Sequence, residues 1–382
     1  MGYLKAALLR GSNLLYMYNT KLKTVVKLNF SKIYAKINPM KNIAINGAGR
    51  IGRAFLKLAV ENKNINIVAI NDLADIENIA YLMKYDTAYG QSKLGIQVDK
   101  ENSILIVNGQ KVKYLSEKDP SLLPWKDLAV DVVLESTGFF TSYAKANAHI
   151  TAGAKRVVLS APAKDEESDV KGATVLMGIN EEVLNDTSIL ITSNASCTTN
   201  ASSPVIDILN KTLGIEKALL NTTHAYTASQ SLVDGPNKKD WREGRSAPNN
   251  MAPSSTGAAI AVAKVITDLE GKFDGIAVRV PVVTGSIADI TFISKKNTTK
   301  EEVNMILEEA AKDAKWSGVF TTTREQLVSR DIVGNPHASI ADLSMTRVAD
   351  GNLVKVLAWY DNEGGYTHSL LKHVEKVMEK MG

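Results

Sequence analysis

Cysteine is nearly absent: Cys197 is the only one in 382 residues. No intramolecular disulfide can brace the chain, and a reducing compartment is the expected setting. Long apolar runs are missing too, with none near the roughly 20 residues that a bilayer-spanning helix needs. Charged residues at 23% and hydrophobic ones at 45% are ordinary for a globular protein, which excludes disordered and fibrous classes. Acidic residues are lacking from 1–39, where Lys5, Arg10, Lys21, Lys23, Lys27, Lys32 and Lys36 stand alone. Those seven cations exceed the net charge of +4, so the remaining chain is net acidic and offers no nucleic-acid footprint. The basic extension has three readings: a targeting segment, an arm for an acidic surface, or a start codon placed too early, since Met40 directly precedes the first strand. The last is the reading adopted, and 1–39 is left out of the fold argument.

What remains is long enough for two domains. From Met40 onward, strand-like and helix-like stretches alternate, with strands expected at 41–46, 65–71, 130–135, 156–160, 175–178 and 188–193. Ile51, Phe55, Leu58 and Ala59 recur at helical spacing after the first strand. The second has an all-apolar middle suited to a buried parallel sheet. Such alternation implies right-handed crossovers and a doubly wound α/β sheet. After residue 193 the texture changes. A helix over 201–213 is followed by longer, more alternating strands at 217–223, 275–283 and 286–294. An amphipathic helix over 301–314 follows, and a terminal helix over 366–381 is placed to return to the first domain. The expected organisation is a first domain over 40–193, completed by 366–382, and a second over 194–365.

Between the first strand and helix lies Gly47-Ala48-Gly49-Arg50-Ile51-Gly52, and Asp72 follows the last glycine by 20 residues at a strand end. A GxGxxG in that context is a dinucleotide fingerprint. Gly47 permits the tight turn, Gly49 lets the backbone approach a pyrophosphate, and Gly52 allows close helix–strand packing. The helix N-terminus supplies free N–H groups for phosphate. Asp72 would accept from the adenosine ribose hydroxyls and repel a 2′-phosphate, favouring NAD over NADP.

A second constellation surrounds the lone cysteine. Ser193-Asn194-Ala195-Ser196-Cys197-Thr198-Thr199-Asn200 lies where a strand hands over to a helix. There the helix dipole and unpaired N–H groups stabilise a thiolate and can serve as an oxyanion hole. His224, at the end of an alternating strand, is the best of five histidines to act as its base. Spacing alone leaves a structural histidine as the alternative. Ser254-Ser255-Thr256-Gly257 precedes an apolar helix over 258–269, either a phosphate cradle or a plain N-cap. Arg279 stands in an apolar strand, where its charge needs a fixed anion: a substrate phosphate or a protein carboxylate.

Together these segments resemble the glyceraldehyde-3-phosphate dehydrogenase family from about Lys41 to the end. The segments are INGAGRIGR (45–53), KYDTAYG (84–90), ESTGFFT (135–141), SAPAKDE (160–166), SNASCTTN (193–200) and HAYTASQ (224–230). DGPNKKDWREGR (234–245), PSSTGAA (253–259), RVPVVTG (279–285), SRDIVG (329–334) and WYDNEGGY (359–366) continue the series. The resemblance implies oxidation of glyceraldehyde 3-phosphate with NAD and inorganic phosphate, by an NAD-binding Rossmann domain over 40–193 completed by 366–382 and an α+β catalytic domain with a large mixed sheet over 194–365. Cys197 would be the nucleophile and His224 the base. Thr227 and Arg279, with Arg245 nearby, would bind the substrate phosphate; Ser196, Thr198, Thr256 and Gly257 would bind the attacking phosphate. Asn362 would orient the nicotinamide amide, Arg50 and Ile51 would join the glycine loop, and Thr137 would lie near the cofactor. Leu73 and Pro236 match the NAD-using pattern.

A homotetramer in the cytoplasm is implied, with no membrane, nucleic acid or metal required. Four departures stand out: Ala201 in place of a second cysteine, Ile260 in place of a common lysine, the Ala228-Ser229 pair, and Gly364 in place of a bulkier residue, often tryptophan. Gly364, beside the nicotinamide site, is expected to loosen cofactor packing. The alternatives are an erythrose-4-phosphate dehydrogenase, a semialdehyde or acyl-phosphate reductase, and a non-catalytic binding protein.

Overall fold

The computed structural model describes residues 40–164, 169–238 and 240–381, and before them the backbone of three antiparallel strands, Leu4–Leu8, Leu14–Asn19 and Thr24–Asn29. The role of 1–39 and the acidic end of SAPAKDE lie largely outside the described residues.

Strand β1 (Lys41–Asn46) leads into helix α1 (Arg50–Ala59), which buries Gly52, Phe55, Leu56 and Ala59 on one side. Strand β2 (Ile65–Asn71) and helix α2 (Ile76–Lys84) follow, and then β3 (Ile96–Asp99), β4 (Ile104–Val107) and β5 (Gln110–Leu115). After β6 (Val132–Glu135) and helix α3 (Tyr143–Thr151) come β7 (Arg156–Leu159), β8 (Gly172–Thr174) and β9 (Ile191–Ser193). These nine strands form one sheet in the order β8-β9-β7-β6-β1-β2-β5-β4-β3, parallel except for the β5-β4-β3 meander at one edge. The doubly wound sheet is therefore present. Its central strands are apolar on both faces: Ile43 and Ile45 pack on one side, Ala44 and Val133 on the other. The strand order reverses at β1, between β2 and β6, where such a sheet opens a crevice at its carboxyl ends.

Helix α4 (Cys197–Thr212) carries the chain to a second, seven-stranded sheet. That sheet comprises β10 (Ile215–Ala225), β11 (Ala252–Ser255), β12 (Phe273–Val280), β13 (Ser286–Ser294), β14 (Phe320–Thr323), β15 (Ser339–Ala349) and β16 (Leu353–Tyr360). Its order is β11-β12-β10-β13-β16-β15-β14, with β12 parallel to β10 and β14 parallel to β15. Helices α4, α5 (Ala258–Val265) and α6 (Lys300–Ala310) cover one face. The alternation of buried and half-buried residues along β13 is the mark of a sheet with one packed face. Helix α7 (Gly364–Lys380) then returns to pack on α1, with Asn62 donating to Glu375 at 2.6 Å.

Several local expectations need correction. The strand expected at 175–178 lies earlier, at β8 (Gly172–Thr174); Val175 N still donates to the Ser193 carbonyl at 2.9 Å, and the chain then turns from 177, with Asn180 Oδ1 accepting from Leu176 N at 2.8 Å. The helix expected from 201 begins at Cys197, its first turn disguised by Thr198, Thr199 and Asn200, all weak helix formers. The helix over 301–314 stops at Ala310, since Asp313 caps a separate turn at Ala314–Trp316. The helix over 258–269 ends at Val265, where the β-branched run Val265-Ile266-Thr267 gives way to a tighter turn.

Candidate active site

The crevice at the switch point is a cleft of about 480 Å³ bordered by Asn46, Gly47, Gly49, Asp72, Leu73 and Thr137, among others. Gly47 has φ +101°, and a Cβ there would stand 2.7 Å from Thr137 N. Gly52 is more constrained still: its Cβ would meet the Gly47 carbonyl at 1.9 Å, so helix α1 can approach the loop only with glycine there. At Gly49, by contrast, a Cβ would meet nothing within 4 Å, leaving open backbone at the helix N-terminus. No acidic residue sits in the first turn of α1 to neutralise that end. Asp72 accepts from Ala48 N at 2.7 Å and Ala74 N at 2.9 Å, so its carboxylate braces the glycine loop from the opposite strand. Thr137 is held by Glu135, which accepts from both its N–H and its hydroxyl. Ile51 packs against the core, and Arg50 is paired with Asp86 at 2.6 Å and with Glu363. An open anion-binding helix end, a bare backbone and a carboxylate at the second strand suit a dinucleotide.

The cysteine site lies where α4 begins. Ser196 is its N-cap, its hydroxyl accepting from Thr199 N at 3.0 Å, which places Cys197 at the first helical position. Cys197 Sγ lies 3.4 Å from His224 Nε2. His224 and Arg279 are direct partners across the parallel β10–β12 pair, although 55 positions separate them. Arg279 Nη1 approaches His224 Nδ1 at 2.6 Å, and the Ala225 carbonyl competes for the same nitrogen at 2.6 Å. An arginine N–H can only donate and a carbonyl can only accept, so Nδ1 satisfies one at a time. Burial and then the Arg279 charge pull the His224 pKa down to about 3. Burial pushes the Cys197 thiol up, opposed first by Arg279 and then by the N–H and hydroxyl of Thr198. Arg279 Nε is buried without a hydrogen-bond partner, and the guanidinium pairs with no carboxylate among the described residues.

Residues 41–143 match the NAD binding domain of glyceraldehyde 3-phosphate dehydrogenase, and residues 196–362 match its C-terminal domain. The glyceraldehyde-3-phosphate dehydrogenase of Clostridium pasteurianum is 46% identical over 340 residues, covering 88% of this chain and 98% of that protein. The chain belongs to the glyceraldehyde-3-phosphate dehydrogenase family. The Streptomyces coelicolor protein of that name is 44% identical over 86% of this chain and 96% of its own length. The Neurospora crassa one is 43% identical over 88% and 98%. Membership makes this an NAD-dependent oxidoreductase.

The other residues that the family resemblance singled out are distributed unevenly. Asn362 is buried, and its Oδ1 accepts from Gly285 N, Ser286 Oγ and Thr284 Oγ1, which turns its amide nitrogen the other way. Thr198 is buried with its hydroxyl 2.9 Å from Tyr360. Thr227 Oγ1 pairs with Ser229 at 3.0 Å. Thr256 accepts from Ala258 N at 3.2 Å, and Gly257 caps α5 with no side chain of its own. Arg245 is exposed and engaged by Asp234 at 2.8 Å; the structure records no contact between it and the Cys197 cluster. Leu73 borders the cleft in the open.

Sequence reasoning missed some participants. Tyr360 joins Thr198 to Thr222 through its hydroxyl and stands edge-on to His224 at 5.8 Å. Phe139 and Phe140 border the cleft. The signals were present, since Tyr360 lies in WYDNEGGY and the two phenylalanines in ESTGFFT. Gly364 N–H donates to the Tyr89 hydroxyl at 2.9 Å, and a Cβ there would stand 2.8 Å from Asp361 Oδ2. That oxygen is fixed by Gly334 N and Tyr89.

Proposed function

We propose that this chain oxidises glyceraldehyde 3-phosphate to 1,3-bisphosphoglycerate, with NAD and inorganic phosphate, through a thioester on Cys197. The observation that carries this reading is the Cys197–His224–Arg279 cluster, a thiol 3.4 Å from an imidazole whose other side meets a cation with no carboxylate partner. A substrate phosphate on Arg279 draws that guanidinium from His224 Nδ1. The imidazole then changes tautomer, taking a proton from solvent at Nδ1 and losing one to it from Nε2, so that Nδ1–H donates to the Ala225 carbonyl and Nε2 is left to accept the Cys197 proton. The thiolate attacks the aldehyde carbon, and the free N–H groups at the start of α4 face the developing oxyanion. His224 holds the transferred proton on the thiohemiacetal oxygen and takes it back as the carbonyl re-forms. Bound NAD supplies the hydride acceptor for that carbon. Inorganic phosphate then adds to the thioester carbon, expelling the Cys197 thiolate and yielding the acyl phosphate.

The glycine loop (Gly47, Gly49, Arg50, Ile51, Gly52), Asp72, Leu73, Thr137 and Asn362 are the proposed cofactor residues. Thr227, Arg245 and Arg279 are assigned to the substrate phosphate, and Ser196, Thr198, Thr256 and Gly257 to the attacking phosphate. Residues 40–193 with the terminal helix are read as the NAD-binding domain, and 194–365 as the catalytic one. A homotetramer fits the uncovered face of the second sheet, where Leu219, Ile276 and Leu353 are exposed on β10, β12 and β16. A cytoplasmic setting fits the lone unpaired cysteine, and no helix among the described residues is long and apolar enough to cross a membrane.

The test is NADH formation from glyceraldehyde 3-phosphate with and without inorganic phosphate, beside Cys197→Ala. Turnover that requires phosphate and falls by on the order of 10⁴-fold or more in the variant supports the reading. Turnover indifferent to phosphate points to a hydrolysing relative and to erythrose 4-phosphate. No turnover with either sugar sinks the catalytic reading.

A further inference from the structure

Ala195, two residues before the nucleophile, has φ +53°, in the left-handed region that a residue with a Cβ avoids. It is fully buried, and two hydrogen bonds hold it there. Its N–H donates to Ser193 Oγ at 3.0 Å, and its carbonyl accepts from the Tyr366 hydroxyl at 3.0 Å. Tyr366 sits in the first turn of α7, and the same face of that helix continues the grip. The Ser369 hydroxyl donates to Asn200 Oδ1 at 2.7 Å, and Asn200 Nδ2 donates back to the carbonyls of Asn194 and Ser196. His373 Nδ1 meets Asn194 Oδ1 at 3.2 Å while its Nε2 meets the Thr192 hydroxyl at 3.0 Å. Positions 366, 369 and 373 are one stripe of a helix, and the loop they hold spans residues 192–200.

Resting on Cys197 as the nucleophile, we infer that Tyr366 is a positioning residue whose hydroxyl holds Ala195 in the left-handed conformation and thereby sets Cys197 Sγ against His224. The physical case is local. Without the hydroxyl, the buried Ala195 carbonyl loses its partner and the alanine backbone favours ordinary φ by roughly tenfold. Rotation at 195 swings Ser196, the N-cap whose hydroxyl and carbonyl start α4, and Cys197 is the next residue. A tyrosine serving only to pack would be replaced by phenylalanine without loss, because the ring stays.

The experiment compares Tyr366→Phe, Ala195→Gly and the double variant by the rate at which iodoacetamide alkylates Cys197. That rate needs neither substrate nor cofactor. Steady-state kcat and the KM for NAD are measured in parallel. Tyr366→Phe is expected to slow alkylation and kcat roughly tenfold with the KM for NAD unchanged. Ala195→Gly stays near wild type, since glycine enters the left-handed region freely, and in the double variant it restores at least half of the lost rate. Ser193→Ala, which frees the Ala195 N–H instead, gives the same loss and the same rescue by glycine, and serves if Tyr366→Phe does not fold. Wild-type alkylation in Tyr366→Phe, or in Ser193→Ala where that variant stands in, overturns the assignment, as does a double variant no faster than Tyr366→Phe. Should wild-type protein alkylate normally yet turn over no sugar phosphate, the functional reading fails while this positioning role stands.

Discussion

The nine-stranded sheet is parallel over most of its width and apolar on both faces, whereas the seven-stranded sheet is mostly antiparallel and leaves one face uncovered. The two build their sites differently. In the first, the cleft offers backbone at strand ends: the open N-terminus of α1, the bare Gly49 and a single braced carboxylate. In the second, the site is built from side chains in register, with His224 opposite Arg279 inside the sheet and Cys197 brought to them by a helix. A backbone site depends on where the chain turns. A side-chain site depends on which residues face each other, so it is the more easily ruined by one substitution.

That contrast can be broken from either end. The largest effect is expected for Arg279→Gln, which removes the unpaired cation and should lower kcat/KM for the aldehyde about 100-fold or more. The KM for NAD should stay within about threefold on the same argument. Asp72→Ala is the converse: about 30-fold loss with NAD, a smaller preference over NADP, and an unchanged aldehyde KM. Steady-state kinetics with each substrate varied in turn decides both. A variant that shifts the two KM values together would show that the halves are not separable.

The smallest effect concerns acid. Burial lowers the pKa of both His224, in the second sheet, and His373, in the returning helix, to about 3. A depressed imidazole leaves stability intact above its ordinary value of 6.5 and removes it as pH falls toward 3, because the unfolded chain takes the proton first. Each contributes a slope of at most about 1.4 kcal/mol per pH unit below 6.5. Urea unfolding at pH 7, 6 and 5 should show that slope, and His373→Gln should remove about half of it. An unchanged slope in the variant would place the acid sensitivity elsewhere.

The same contrast explains what the sequence disclosed. The glycine loop, Asp72 and the strand–helix alternation were readable because each depends on short-range spacing, and the parallel sheet followed from them. The cluster at Cys197 was readable only in part. That a cysteine at a helix start pairs with His224 depends on how β10 and β12 align, and no local pattern reports that register. Arg279 betrayed its need for an anion by standing in an apolar strand, yet its contact with His224 was invisible. The four-residue meander strands β3 and β4 escaped the sequence reading, and so did the longer β5, β15 and β16. The apolar run Val175-Leu176-Met177 suggests a strand that in fact sits at Gly172–Thr174, because side-chain capping by Asn180 leaves no mark on hydropathy.

The protein has a single sulfhydryl, and that one is the proposed nucleophile. Any thiol-directed dye therefore counts competent sites one for one. The same arithmetic governs oxidation: a sulfenic acid on Cys197 finds no second thiol in its own chain to close a disulfide. Its repair depends on a reductant from outside, and without one the oxidation proceeds to forms that do not reverse.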